Sequence, residues 1–408
     1  MTAQTQDSTA KGSLFGAILL IASCCIGAGM LGLPVMSALA GFEPSILMFI
    51  LSWLLMTATG LLLLEVNLWF PDDAGIVSMA ERTLGKAGKA IGWTMFLFLF
   101  YSLLVAYVAG SGILVADLVS ALTPYSVPSY VGSLAVIACF GVSLYLGTKA
   151  VDWFNRILVI GLIVSYVLLV AMGSSHVNVE LLKHRDWSAV ALVLPTMILS
   201  FGFHNLVPSL TAYLKHDIRR LRIAVLVGSA LPLIVYLVWE WLILGLVPVE
   251  GDLGFRQALD NGDMATQALK NAVGSSLVVE LAQYFAFFAI ITSFLGVSLS
   301  FVDFLADGMH IKKTPKGKVI LCLLVLLPPS VFAFLYPKIF LVALNYAGGV
   351  GAMTLFGILP VLMAWVGRYH KKLGSVRLVP GGKIVLLLIL LVSCLVIVLQ
   401  LSQDILKS

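Results

Sequence analysis

Two stretches of the sequence set glycine and proline inside apolar runs where a helix would otherwise continue. The first reads Ser23-Cys24-Cys25-Ile26-Gly27-Ala28-Gly29-Met30-Leu31-Gly32-Leu33-Pro34. The second reads Ser200-Phe201-Gly202-Phe203-His204-Asn205-Leu206-Val207-Pro208-Ser209. Glycine inside a helix costs about 1 kcal/mol relative to alanine, and proline about 3, so both runs favour unwinding. An unwound stretch bares backbone groups that a helix satisfies internally. The N–H groups opening the next segment carry a partial positive charge and suit a carboxylate. The carbonyls ending the preceding segment suit an ammonium or a small cation. Gly27, Ala28 and Gly29 are the expected N–H donors, and Cys25 and the segment around Phe201 the expected carbonyl donors of electron density. The ligand that matches both ends is an α-amino acid zwitterion. A lone Gly27/Gly29 pair would read as close helix packing. Two Gly-and-Pro breaks in corresponding segments favour a binding site.

Other residues add chemistry at the same depth. His204 is the one histidine deep within an apolar run; it either exchanges a proton or hydrogen-bonds neutrally across the break. Thr292 and Ser293 carry hydroxyls that would hold a cation with carbonyls of the first break, or bond their own backbone one turn back. Glu65, Arg156, Asp303 and Asp307 map to the ends of three apolar runs and either form an ion-pair gate or remain solvated there. Glu240 and Glu280 are secondary proton-path candidates. Phe201, Phe203, Tyr101, Tyr107 and Phe294 would pack an aromatic ring, or simply fill the interior.

The segments that position these groups are set by composition. The chain has 408 residues, 60% hydrophobic and 11% charged, with a mean hydropathy of +1.05. Soluble domains carry about 25% charged residues. A soluble enzyme, a nucleic-acid binder and a disordered chain are thereby excluded, and the net charge of +5 reads as basic loops on one membrane face. Eleven apolar stretches of roughly 20–30 residues, each able to cross about 30 Å of hydrocarbon, lie near 13–39, 44–70, 90–121, 129–147, 154–173, 188–213, 222–247, 273–305, 318–336, 339–366 and 383–402. With the 1–12 tail inside, nineteen of the 25 basic residues fall on inside segments, so the N-terminus is expected inside and the C-terminus outside. Amphipathic segments 76–89 and 253–271 are expected to rest at the two interfaces or to move in gating. The five cysteines all lie in apolar runs, and no disulfide, metal site or cofactor is expected.

The breaks fall in the first and sixth runs, so 13–173 and 187–366 read as two five-span halves, with 383–402 an extra helix. An odd number of spans per half inverts the second relative to the first. Such inverted repeats place the site where the broken helices meet.

The runs Ile26-Gly27-Ala28-Gly29-Met30-Leu31, Ser200-Phe201-Gly202-Phe203-His204 with Pro208-Ser209, and Thr292-Ser293-Phe294-Leu295-Gly296-Val297 with Asp303 and Ala306-Asp307 resemble the hydroxy/aromatic amino acid permeases. Leu64-Glu65-Val66 and Asp152, Phe154, Asn155 and Arg156 fit as well, and the resemblance covers about residues 12–402. It implies an all-α, LeuT-like fold of eleven spans in a bacterial inner membrane, with helices one and six broken. It also implies uptake of tyrosine, or of tryptophan or phenylalanine, with protons. Substrate contacts would then fall on Cys25 to Gly29 and Phe201 to Asn205. The family often has threonines where this chain has Cys24-Cys25. The rival reading on the same scaffold is a sodium-coupled carrier of neutral amino acids. An intramembrane enzyme would need paired carboxylates or a Ser/His/Asp set at one depth, and a channel would need a repeated filter or charged ring.

Overall fold

The computed structural model describes residues 12–70, 74–374 and 376–407, so residues 1–11 of the expected 1–12 tail lie outside the described residues. The first crossing is two helices, α1 (Leu14–Cys25) and α2 (Leu33–Ser37). There follow α3 (Phe42–Leu68), α4 (Ile76–Leu122), α5 (Ser129–Leu146) and α6 (Thr148–Gly173). The sixth crossing is again divided, into α7 (Val190–Ser200) and α8 (Val207–Tyr213). Beyond it lie α9 (Ile218–Leu246), the short α10 (Phe255–Asn261) and α11 (Ala265–Ala272), α12 (Ser276–Gly308), α13 (Pro315–Leu335), α14 (Phe340–Lys371) and α15 (Gly382–Lys407). Counting α7 with α8 as one, ten stretches are long and apolar enough to cross a membrane among the described residues, and α1 is a shorter apolar helix. The protein is an all-α, multi-span membrane protein.

Both breaks have a local cause. α1 ends at Cys25, and Ile26 and Gly27 are extended (Gly27 φ −167°, ψ −156°) before a 3₁₀ turn at Ala28–Leu31. α7 ends at Ser200, and a 3₁₀ turn at His204–Leu206 leads into α8. Pro34 and Pro208 each occupy the first turn of the helix after the break, where proline's missing N–H costs nothing and its fixed φ suits a helix start.

Two expected boundaries shift. The amphipathic segment 76–89 is divided: non-helical Gly85 (φ +76°, ψ −160°) separates a short helix that starts at Ile76 from the long helix that completes α4, in a conformation glycine adopts without steric cost. Segment 253–271 forms α10 and α11, which pack against α2. In α14, residues Ala347–Ile358 and Val366–Lys371 are π-helical.

Packing is reciprocal between the two parts of the chain. α1 packs on α9 as α7 packs on α3, and α4 packs on α14 as α6 packs on α12. The outer faces of α5, α6 and α13 expose large apolar side chains, including Leu146, Ile160, Ile163, Val167, Leu327 and Leu335. A continuous apolar exterior of that kind is matched to lipid, not water.

Candidate substrate site

The two breaks meet at a cavity of about 110 Å³. Cys24, Cys25, Gly27, Ala28 and Gly29 line it from the first break, and Leu199, Ser200, Gly202 and Asn205 from the second. Of the residues singled out in the sequence, Cys25, Gly27, Ala28, Gly29, Gly202, Asn205, Tyr107 and Ser293 are brought together here. Phe201, Phe203 and His204 are fully buried behind the lining.

The first break presents its amides unequally. The Ala28 N–H donates to Ser293 Oγ at 2.9 Å. The carbonyls of Gly27 and Gly29 accept from Met30 and Gly32, while the N–H groups of Gly27 and Gly29 have no acceptor among the described residues. Ser293 thus belongs to the site. Its neighbour Thr292 does not: its hydroxyl bonds the carbonyls of Phe288 (2.8 Å) and Ala289 (3.1 Å) in its own helix.

The carbonyls ending α1 and α7 converge on one group that the sequence did not mark. Tyr236 of α9 donates its hydroxyl to Cys25 O at 2.6 Å and to Ser200 O at 2.9 Å. One residue group on a third helix therefore ties the ends of both interrupted helices. Three residues on, Trp239 Nε1 donates to Met30 O at 2.8 Å, so the same face of α9 also holds the 3₁₀ turn. Tyr236→Phe keeps the ring and removes the tie. It is expected to raise KM for uptake about tenfold, equivalent to about 1.4 kcal/mol, in saturation kinetics normalised to membrane protein. An unchanged KM would show that the tie does not shape the site.

A wall of rings lines the same cavity. Phe96, Leu99, Phe100, Leu103 and Tyr107 line the cavity from α4 at helical spacing, with Phe356 of α14 beside them. Phe96 lies 5.8 Å from Phe100 and 6.4 Å from Phe356, and Phe100 stacks on Phe301 at 5.0 Å. The i, i+3/i+4 recurrence from Phe96 to Tyr107 was visible in the sequence, but such a stripe equally marks a packed core. Tyr101 points elsewhere, donating to Leu324 O at 2.9 Å, and Phe294 is fully buried.

His204 supports that wall. Its ring stacks on Phe356 (4.7 Å, 9°) and on Phe203 (5.0 Å, 28°), and Nε2 bonds Thr59 Oγ1 at 2.9 Å. Nδ1 has no partner among the described residues.

The expected gate of Glu65, Arg156 and Asp303 is not assembled. Arg156 pairs with Asp152 one turn away at 2.9 Å, and Asp303 with Lys313 at 2.6 Å, all four being exposed. Asp307 is exposed as well. Glu65 is fully buried against Arg368, with Oε1–Nε 2.6 Å and Oε2–Nη2 2.7 Å. Charges at one depth on separate helices face different azimuths, which spacing along the chain does not encode.

The cavity reaches solvent at Asn205, which is exposed beside Cys24, on the side where α1 begins. The far side is shut. Met30, Leu31, Tyr236 and Trp239 are fully buried. Beyond them the chain before α7 covers the end of α2: His184 Nε2 donates to Leu39 O (3.0 Å) and Asp186 N–H to Ala40 O (2.8 Å). The Ser188 hydroxyl and amide hold the Asp186 carboxyl below the usual carboxylate range.

A model of the tryptophan/tyrosine permease family matches residues 10–400. The chain is 32% identical over 392 residues to the tyrosine-specific transport system 2 of Haemophilus influenzae, covering 95% of this chain and 96% of that protein. It is 31% identical to the tryptophan-specific transport protein of the same organism, over 96% of each. It is 27% identical to the tyrosine permease of Enterobacter agglomerans, over 88% of each.

Proposed function

Because the chain belongs to the tryptophan/tyrosine permease family, and is therefore a transport protein, not an enzyme, we propose that it imports an aromatic amino acid, tyrosine by preference, together with a proton. The membrane is the bacterial inner membrane, with the N-terminus cytoplasmic and the C-terminus periplasmic, as the concentration of Lys and Arg on one set of loops favours. Residues 13–173 and 187–366 act as two inverted repeats, a reading supported by their reciprocal packing.

The observation that carries the proposal is the cavity itself. In it are the unpartnered amides of Gly27 and Gly29 and the carbonyls of Cys25 and Ser200. Beside them are the rings of Phe96, Phe100 and Phe356. The amides take the substrate carboxylate and the carbonyls share its ammonium with Tyr236. A carbonyl oxygen has two lone pairs, so neither need release the phenol first. The rings accept an aromatic side chain at offset or edge-on geometry, which adds about 0.5–1.5 kcal/mol per pair beyond area burial. Asn205 and Cys24 stand at the open end, where the substrate leaves.

The test is uptake of labelled tyrosine into proteoliposomes, with the pH gradient and sodium varied separately. We expect uptake driven by an alkaline interior without sodium, competition by tryptophan and phenylalanine, and none by leucine. Equal competition by leucine would remove the aromatic assignment, and a sodium requirement would replace the proton.

A further inference from the structure

Glu240 lies on α9, one turn beyond Tyr236 and next to Trp239, on the face that holds the first break. It is fully buried. Its Oε2 accepts from Ser37 Oγ at 2.5 Å, and its Oε1 has no partner among the described residues. Ser37 is the last residue of α2, the half of the first crossing on the closed side. The carboxyl therefore joins the helix that organises the breaks to the half-helix that must swing if the far side is to open.

No counter-charge reaches it among the described residues. On the elements packed against α9, Lys270 pairs with Asp117, Lys183 with Glu180, Glu43 with Arg185, and Glu65 with Arg368. His176 is exposed and bonds Ser175 and Met172, Tyr166 donates to Val235 O, and Tyr236 is committed to the break. An isolated carboxylate here would carry an uncompensated charge in a dry interior, which favours the neutral acid. The neutral acid needs only its hydroxyl partner.

We propose that Glu240 carries the co-transported proton. The proposal deepens the proton-symport reading and rests on it. When the far side opens, α2 moves away with Ser37 and the carboxylate meets water, taking a proton from hydronium. Only the neutral acid can be sealed again beneath α2, so protonation licenses closure. The O–H bond breaks when the near side opens further than in this structure, where the carboxyl is still dry, and admits water along α9 that hydrates the carboxylate until α2 swings away again. The proton then leaves to water in the cavity past Tyr236, whose hydroxyl already touches two lining residues.

The experiment compares wild type and Glu240→Gln in proteoliposomes by two assays. One is uptake driven by a pH gradient with proton movement recorded. The other is counterflow of labelled against unlabelled tyrosine at equal pH. Gln keeps the size and the bond to Ser37 without a releasable proton. Gradient-driven uptake should fall at least about 100-fold and substrate-linked proton movement should vanish, while counterflow stays within about threefold of wild type. Retained proton movement in Glu240→Gln would overturn the proposal, as would loss of counterflow with the protein at normal membrane level. Absence of proton movement in wild type would instead remove the symport reading beneath it. Should Glu240→Gln fail to reach the membrane, Ser37→Ala decides. It leaves the carboxyl and takes its one partner, so the pH of half-maximal uptake should be displaced, and an unchanged profile would overturn the proposal.

Discussion

Gly27→Val is expected to abolish uptake, by at least about 100-fold, while the protein still reaches the membrane. The reason is contact, not backbone strain. Gly27 is extended at φ −167°, which any residue adopts. A Cβ on it, however, would collide with Ser293 Oγ, the atom that accepts from Ala28 N–H. Valine would push α12 from the break, misplace the 3₁₀ turn and cover the Gly27 N–H. Loss of a substrate-binding geometry worth about 2.7 kcal/mol accounts for 100-fold, and one buried collision exceeds that readily. The check is uptake normalised to immunodetected membrane protein. Gly27→Ala in a Ser293→Ala background should recover part of the activity, because the nearest remaining atom, Ser293 Cβ, stands 3.7 Å away. Gly29 is less constrained: its Cβ would lie 3.3 Å from Ser200 Oγ, a contact that a small shift relieves. Full transport by Gly27→Val would remove the first break from the site.

The second large effect is on folding. Glu65 and Arg368 are 303 residues apart in sequence and form a two-pronged pair with side-chain exposures of 0% and 2%. Glu65 Oε2 also accepts from Leu378 N–H at 2.7 Å, and Arg368 Nη2 donates to Val379 O at 3.2 Å. The pair therefore anchors the segment after α14 to the end of α3. Arg368→Met strands a buried carboxylate, and removing one partner of such a pair costs about 3–5 kcal/mol. We expect the variant to be largely lost from the membrane, or to lose its monodisperse peak in detergent on mild heating. Glu65→Gln with Arg368→Met removes both charges and keeps an acceptor for Leu378, so most of the stability should return. Wild-type heat resistance in the single variant would show that the pair contributes little.

The spans were legible because a bilayer demands about 20 apolar residues in a row, a signal that survives any detail of packing. The breaks were legible for a related reason: glycine and proline are expensive where no water replaces a lost hydrogen bond. Side-chain direction was not. Thr292 and Ser293 are adjacent and equally polar, yet about 100° separates them around the helix, and only Ser293 meets the break. The sequence sets Glu65 at the end of its span, where a gate with Arg156 and the aspartates or a solvated charge is the expectation; its partner is Arg368, since depth says nothing of azimuth. Tyr236 left no trace at all. It is one tyrosine in an apolar helix, and its significance comes from two carbonyls that only the fold brings within reach of it.

The π-helical stretch of α14 bears on the aromatic wall. Ala347–Ile358 carries Phe356, which closes the aromatic wall and leans on His204. In such a stretch each amide reaches five residues back, and widened turns of this kind recur at functional positions. Phe356 is thus carried on a widened spiral and not on a plain α-helix, so the last ring of the wall is set by that winding.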